Sequence, residues 1–134
     1  MINEVCYVGI RRSDGRAEVW VETRDGDIGE RRLLDPKPSQ MLYNHSPDGF
    51  EWGYAGSGPA QLALAILLDA CRRGPFPIGD LTHSMNWTAK GPAGKVALIH
   101  YQSFKFSVIA MFERDGFRLP LSEVREFLAL EERK

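Results

Sequence analysis

Polar and hydrophobic residues alternate along the first third of the chain, as they do in half-buried β-strands. Two runs rich in β-branched and aromatic residues, at 4–12 and 17–23, are separated by an Asp-Gly turn sequence, which is a strong hairpin signal. In the second run the valines share one face, and Trp20 lies on the more polar one. A second Asp-Gly step and a short return strand at 30–34 complete a predicted antiparallel meander.

The pattern then changes to an almost uninterrupted apolar run over 59–73, which predicts a helix. Gln61 and Asp69 are its only polar residues before the terminal arginines. Ser57 or Gly58 suits the N-cap, a proline follows in the first turn, and a Gly-Pro pair suits the C-terminal stop. A helix with so small a polar face is buried on most sides, so we expect it to be the central helix of the fold.

The segments on either side of this helix have weaker patterns. Residues 35–39, Asp-Pro-Lys-Pro-Ser, predict a rigid connector without regular structure, because each proline removes a donor and restricts its neighbour. A short strand at 41–43 would follow it. Residues 74–94 are rich in glycine and proline, with one helical turn expected around 81–87.

The last third of the chain contains one ambiguous segment. Residues 95–113 alternate like a strand near their end, but they also follow a helical stripe, and their length without a breaker favours a helix. Residues 117–119 are expected to be extended, and Ser122 is expected to cap a last helix.

Length and composition place these elements in one globular domain, 1–134. The predicted class is α+β: a small antiparallel β-meander packed on a central buried helix, with two further helices. No apolar run approaches the roughly 20 residues of a membrane span, so we predict a cytoplasmic protein without a membrane partner. Cys6 and Cys71 have no metal-ligand spacing and are expected to be core thiols in a reducing compartment.

The charge balance gives little support to nucleic acid as a partner. Lys and Arg total 17 against 18 Asp and Glu, for a net charge of -1, whereas dedicated nucleic-acid binders are usually basic. The N-terminal third is locally richer in arginine. If nucleic acid were bound, the contacts would come from Arg11, Arg12, Trp20, Arg31 and Arg32.

The glycine-rich loop before the central helix is the first candidate for a site. Helix N-termini present unpaired N–H groups, and glycines let a ligand approach the backbone. The sequence Gly53-Tyr-Ala-Gly-Ser-Gly-Pro59 nevertheless matches neither the P-loop nor the dinucleotide fingerprint. Three interpretations remain open: a tight turn that needs glycine, an anionic ligand such as a phosphate, and a protein partner.

Upstream of the glycines, polar and aromatic residues are crowded together. Phe50, Trp52 and Tyr54 would share one face of an extended segment, either as core residues or as a stacking platform. His45 beside acidic residues could serve acid–base catalysis, although the same residues are common in turns. The candidate ligand or partner contacts are Asn44, His45, Asp48, Glu51, Trp52, Tyr54, Gly56, Ser57 and Gly58.

Signatures of metal or covalent chemistry are absent from the sequence. His83 and His100 form no ligand spacing with each other, with His45 or with the cysteines. None of the common hydrolase, zinc-protease or cysteine-nucleophile motifs occurs. We therefore expect no metal and no cofactor, and the pattern specifies no oligomeric state.

The stretch Asn-His-Ser-Pro-Asp-Gly-Phe-Glu-Trp-Gly-Tyr-Ala-Gly-Ser-Gly-Pro-Ala-Gln-Leu-Ala-Leu-Ala from Asn44 resembles a family of small bacterial, archaeal and phage or plasmid proteins known only as a domain of unknown function. Weaker similarity occurs at 35–39, at 101–105 and across the last helix. Where family members have glycine after the tyrosine, this chain has Ala55. The alanine argues against a requirement for positive φ at this position. The resemblance implies a mobile-element setting and a helix at 101, but no activity.

These observations favour a non-enzymatic binding or interaction protein of a phage or plasmid. Its expected partner is a host or defence protein, and an inhibitor of a host nuclease system is one concrete form. The alternative is a nucleotide- or phosphate-binding protein, or an enzyme, that uses the Gly-rich loop at the start of the Pro59 helix. In that case His45, Asp48 or Glu51 would be the acid–base groups.

Overall fold

A computed structural model of the protein describes residues 4–73 and 91–133. The elements in chain order are β1 (Glu4–Arg11), β2 (Ala17–Asp25), β3 (Ile28–Leu33), α1 (Lys37–Leu42), α2 (Ser57–Arg73), α3 (Gly91–Ser107), a 3₁₀ turn (Ile109–Met111), β4 (Gly116–Pro120) and α4 (Leu121–Glu132). The helical turn expected around 81–87 lies outside the described residues. The predicted α+β class is confirmed.

The strands form one antiparallel sheet in the order β3-β2-β1-β4. The predicted meander is its first three strands, and the extended segment expected at 117–119 is the fourth. Gly9 lies opposite Phe117 in the β1–β4 pair, and a Cβ atom added to Gly9 would lie 2.2 Å from the Phe117 ring. Glycine is therefore needed at this position because the phenylalanine ring occupies the space of a side chain.

The two faces of the sheet have different environments. Tyr7, Val21 and Leu119 lie side by side across three strands and are buried in the core. The opposite face carries Trp20, which is only partly buried, as the alternation of the second strand predicts. Cys6 lies on this second face and is partly exposed, so the prediction that both cysteines are core residues is wrong for Cys6.

Helix α2 is the central helix, as predicted, and thirteen of its seventeen residues are buried. Its most extensive contact with another helix is with α3, and it also contacts α1 and α4. Burial raises the pKa of the Cys71 thiol to about 12, so this cysteine is an unreactive core residue at neutral pH.

The proline-rich segment is helical, which corrects two predictions. Helix α1 spans residues 37–42, so neither the irregular connector at 35–39 nor the strand at 41–43 is present. Both prolines lie at the start of the helix, where a missing N–H breaks no hydrogen bond. The Asp35 carboxylate accepts a hydrogen bond from the Lys37 N–H at 3.0 Å and so stabilises this start.

Most of the ambiguous segment 95–113 is helical in the structure. Helix α3 ends at Ser107, and a 3₁₀ turn follows, so helix is confirmed for most of 95–113. The last helix begins directly after β4, at Leu121. Its N-cap is Pro120, which makes no side-chain cap bond, so the prediction that Ser122 is the cap is wrong. No helix among the described residues is long and apolar enough to cross a bilayer.

Asp69 of α2 connects the helix to the sheet. Its carboxylate accepts hydrogen bonds from the Tyr7 hydroxyl at 2.7 Å, from Arg73 Nε at 2.8 Å and from Arg32 Nη2 at 3.1 Å. Burial raises its pKa, but the hydrogen bonds from Arg73 and Tyr7 and the nearby arginine charges outweigh burial, so the pKa of Asp69 lies below its usual value. Asp69 is therefore ionised and fully partnered at neutral pH.

The replacement Asp69→Asn is expected to lower the free energy of unfolding at pH 7 by about 2 kcal/mol, because hydrogen bonds to a charged acceptor are lost. Since the folded pKa is depressed, the stability that Asp69 provides is present above its unfolded pKa and is lost as pH falls through the folded pKa. Urea unfolding at pH 7 and pH 3 should therefore show a smaller acid loss for the variant than for the wild type. Equal acid losses in the two proteins would contradict this role.

Candidate functional site

The loop before α2 is anchored by hydrogen bonds to Gln61. This residue is completely buried in the first turns of the helix. The Gln61 carbonyl oxygen accepts hydrogen bonds from the N–H groups of His45 and Ser46 at 2.7 and 3.0 Å. Its amide nitrogen donates to Ser39 Oγ at 2.9 Å and to the Tyr43 carbonyl at 3.2 Å. One side chain thus satisfies four polar groups and fixes the path of the chain from α1 into the loop.

His45 is fixed between two tyrosines. Its Nε2 shares a 2.7 Å hydrogen bond with the Tyr101 hydroxyl, from α3, and its ring is stacked on Tyr43 with centroids 4.2 Å apart. Burial and then the charge of Lys105 lower the pKa of His45. The imidazole is therefore neutral at pH 7 and is held as a rigid surface group.

Lys105 follows Tyr101 by one helical turn and lies on the same side of α3. The residue is only 9% exposed. Its ammonium nitrogen lies 4.1 Å from the centroid of the Phe106 ring, which is a favourable cation–π distance. Its ammonium nitrogen is not among the fully buried polar atoms without a partner in the described part of the chain, so the buried part is the aliphatic stem and the charged end reaches solvent.

Glu51 is paired, and this argues against a role as a catalytic base. Its two carboxylate oxygens each accept a 2.8 Å hydrogen bond from the guanidinium of Arg11, in a bidentate ion pair. The hydrogen bond from Arg11 is the main cause that lowers the pKa of Glu51. Arg11 also lies over the Trp52 ring at 4.7 Å. The pair joins the end of β1 to the loop.

The three loop aromatics lie in different environments. Trp52 is buried, and its indole N–H donates to the carbonyl oxygens of Glu113 and Arg114 at 3.0 and 3.1 Å. Phe50 is partly buried and Tyr54 is half exposed. Trp52 is thus a core residue, and the three rings do not form the stacking platform that the sequence left open.

The glycines at the helix start allow close packing. A Cβ atom on Gly56 would lie 2.5 Å from the Tyr54 ring, and one on Gly58 would lie 2.7 Å from the Glu51 Cβ. No described residue other than glycine has positive φ, so Ala55 needs no left-handed conformation. Since Glu51 packs against the first turn of α2, this arrangement supports the tight-turn interpretation more than an approaching anion.

The remaining loop residues are dispersed at the surface. Asn44 and Ser57 are exposed. Asp48 lines an open depression of about 400 Å³ between the loop and the first hairpin. His45 is bonded to α3 and Glu51 to β1, so the structure attaches the suggested acid–base residues to different elements rather than converging them on one point.

The proposed nucleic-acid contacts also divide between surfaces. The Arg31 guanidinium lies 4.4 Å above the Trp20 ring on the open face of the sheet, and Arg12 forms a 2.7 Å ion pair with Glu18 beside it. Arg32 belongs to the Asp69 network on the other face. The five residues therefore do not form one basic surface, and the carboxylate beside Arg12 would repel phosphates.

Several residues of the site could not be chosen from the sequence. The sequence did not predict Tyr43, Tyr101 or Lys105 as site residues. The spacing of four residues between the last two, on a predicted helix, did indicate that they share one side of it. Among the described residues no group of His, Cys, Asp and Glu could hold a metal ion. His100 pairs with Glu132 at 2.8 Å, and His83 lies outside the described part of the chain.

The fold and loop define a small α+β protein in which a four-stranded antiparallel sheet and a buried helix support a polar and aromatic loop. A family model described as "Family of unknown function (DUF6166)" matches residues 7–76, just over half of the chain. The protein belongs to this family. The match covers the loop and nearly all of the first three strands, α1 and α2. No curated protein and no solved structure matches the chain.

Proposed function

We propose that the protein is a non-enzymatic binding protein that recognises a protein partner through the surface beside the Gln61-supported loop. The observation that carries this proposal is the run of contacts from Tyr43 through His45 to Tyr101, together with the contact between Lys105 and Phe106 on the next turn of α3. We call these five residues the Tyr43 surface. His45 and Tyr101 are fixed by their mutual hydrogen bond, so the surface suits recognition better than turnover.

The composition of the Tyr43 surface supports a protein partner. Tyr43 and Phe106 are 56% and 58% exposed, and Met41 of the adjoining helix is 85% exposed. Exposed aromatic residues and methionine are enriched in protein interfaces. Because the Tyr43 ring is stacked on His45, it loses little conformational freedom on binding, which favours affinity.

The resemblance at Asn44 to Asp69 supports a more specific form of the proposal. From the mobile-element setting that this resemblance implies, we propose that the protein belongs to a mobile genetic element and acts on a host or defence protein. An inhibitor of a host nuclease system fits this setting, since such an inhibitor requires a binding surface and no catalytic groups.

Affinity capture from host lysate tests the proposal with matched variants. The double variant Tyr43→Ala, Phe106→Ala is expected to reduce recovery of a stoichiometric protein partner at least tenfold, since interface anchors often contribute more than about 1 kcal/mol each. The control is Ile28→Ala, Leu33→Ala, which removes two exposed apolar side chains from β3. Loss of the partner only in the control, or capture of no protein by the wild type, would overturn the proposal.

Thermal-shift measurements distinguish the alternative function. A nucleotide- or phosphate-binding protein that uses Gly56, Ser57 and Gly58 should be stabilised by ATP, GTP or inorganic phosphate, because a ligand that binds only the folded state raises the melting temperature. Because Glu51 packs against Gly58, we expect none of these ligands to raise the melting temperature. A saturable increase with any of these ligands would support the alternative instead.

A further inference from the structure

We infer that two copies of the chain associate through β3, whose strands pair antiparallel and join the two four-stranded sheets into one. β3 is the first strand in the order β3-β2-β1-β4, and within residues 4–73 and 91–133 it pairs with β2 alone. All six of its residues are exposed, so its outer edge is open to a second strand. The inference concerns the chain by itself and does not depend on the proposed function.

The outer edge of β3 presents the backbone groups of its odd-numbered residues. The Leu34 N–H donates to the Val19 carbonyl oxygen at 2.8 Å, on the β2 side of the strand. In an antiparallel ladder the backbone groups of alternate residues point to opposite edges. Those of Gly29, Arg31 and Leu33 therefore point away from β2 and can bond to an added strand.

A second copy matches this edge when Arg31 of one strand lies opposite Arg31 of the other. Gly29 of each copy then lies opposite Leu33 of its counterpart, and each of these pairs exchanges both main-chain hydrogen bonds. A two-fold axis relates the strands, so the same surface supplies both sides of the interface. Such closed, self-complementary dimers are the commonest form of association.

The helix-facing side of β3 carries complementary charges in this register. Val21 of the core lies opposite Arg32 in the β2–β3 pair, so the even-numbered residues of β3 face the helices. Glu30 of each copy then lies opposite Arg32 of the other, and cross-strand pairs of opposite charge are stabilising. The next allowed register in either direction places Glu30 opposite Glu30 or Arg32 opposite Arg32. Charge complementarity therefore selects one register.

The same register gives an apolar environment to Ile28, which is 67% exposed in the single chain. Ile28 lies on the helix-facing side, opposite Leu34 of the second copy. Leu34 lines a depression of about 140 Å³ beside α1 and α2, and its apolar lining also includes Pro38, Ala65 and Leu68. The two-fold axis repeats this contact at both ends of the interface, and burial of the two isoleucines favours association.

The open face of the sheet is compatible with this pairing. Leu33 is 52% exposed and lies over the bare backbone of Gly29 of the second copy. Within the chain, a Cβ atom on Gly29 would meet no atom nearer than 3.8 Å, and its φ is not positive, so the single chain does not require glycine there.

Charged residues often protect an edge strand against pairing, and the two Arg31 residues lie opposite each other at the axis. Each Arg31 guanidinium, however, lies 4.4 Å above the Trp20 ring of its own β2. Because β2 is on the inner side of β3, this stacking draws the two charges away from the axis. A pair of edge strands forms a small interface, so we expect a reversible dimer with a dissociation constant in the micromolar range.

Sedimentation equilibrium of the full chain tests this inference. The wild type is expected to show a monomer–dimer equilibrium. Arg31→Pro should weaken the dimer at least tenfold, because proline removes an outward N–H and places its ring against the second strand, while the ladder with β2 stays intact. The control Arg31→Ala keeps the N–H and should dimerise at least as strongly as the wild type. A wild type that stays monomeric at every concentration, or equal dimerisation of Arg31→Pro and the wild type, would overturn the inference.

A second pair of variants does not alter the backbone. Ile28→Lys should weaken the dimer about fivefold, because it brings a charge into the apolar contact with Leu34. Ile99→Lys, at a 54% exposed residue of α3, should leave the dissociation constant unchanged. Both side chains are exposed in the single chain, so neither variant is expected to change the melting temperature of the monomer. Equal dissociation constants for the two variants would contradict the β3 interface.

Disulfide cross-linking tests the register in a Cys6→Ser background. Arg31→Cys should form an intermolecular disulfide, because opposite residues have Cα atoms about 5.5 Å apart. Leu33→Cys should cross-link much more slowly, since the two Leu33 positions lie roughly 13 Å apart along the paired strands. Faster cross-linking at Leu33 would reject this register. These measurements use the purified chain without lysate, so their failure leaves the proposed function intact, and failure of the affinity capture leaves the dimer intact.

Discussion

Replacement of Gln61 by leucine is expected to lower the free energy of unfolding by about 4 kcal/mol. Leucine is similar in size, so the loss comes from the four polar groups of the loop and α1 that Gln61 satisfies. Each buried donor or acceptor left without a partner costs about 1–3 kcal/mol, and partial rehydration of the loop would reduce the sum. Urea unfolding measures the change.

The control for this variant is Gln40→Leu. Gln40 donates to the carbonyl oxygens of Ser46 and Pro47 from a partly exposed position, so water can replace its hydrogen bonds, and a change below about 1 kcal/mol is expected. Hydrogen exchange at the His45 and Ser46 amides should accelerate only in the Gln61 variant. Similar stabilities for the two variants would mean that Gln61 does not hold the loop.

Leu67→Ala is expected to cause the second large loss of stability. Leu67 is completely buried in α2, and removal of a leucine side chain from a packed core costs about 2–5 kcal/mol in lost burial and cavity formation. The exposed Leu130 of α4 provides the matched control, because Leu130→Ala should change stability by less than about 0.5 kcal/mol. An unchanged melting curve for Leu67→Ala would show that α2 is peripheral rather than central.

The elements that the sequence predicted correctly are those with strong local patterns. The valines of β2 alternate with Trp20, so the buried face of the sheet followed from periodicity alone. The apolar run of α2 and its bounding glycines likewise specified one buried helix. The prediction of an irregular connector at 35–39 was wrong because proline is compatible with both an irregular connector and a helix start.

The site could be predicted only in part, because its contacts join distant segments. The loop was found from its composition, but the hydrogen bond of His45 to Tyr101 spans 56 residues, and the pairing of Arg11 with Glu51 spans 40. No local pattern specifies such contacts. Gln61 is a different case: a lone polar residue in an apolar helix signalled a buried partner without showing which one.

The fourth strand has a consequence for how the protein folds. β4 pairs with β1, Leu119 lying opposite Tyr7, so the sheet closes only after a chain segment of roughly one hundred residues has been brought together. Contacts between such distant residues slow folding. A chain restricted to residues 7–76 would lack both β4 and α3, leaving one edge of β1 unpaired and α2 uncovered. We therefore expect the matched region, residues 7–76, to be unstable as a separate chain.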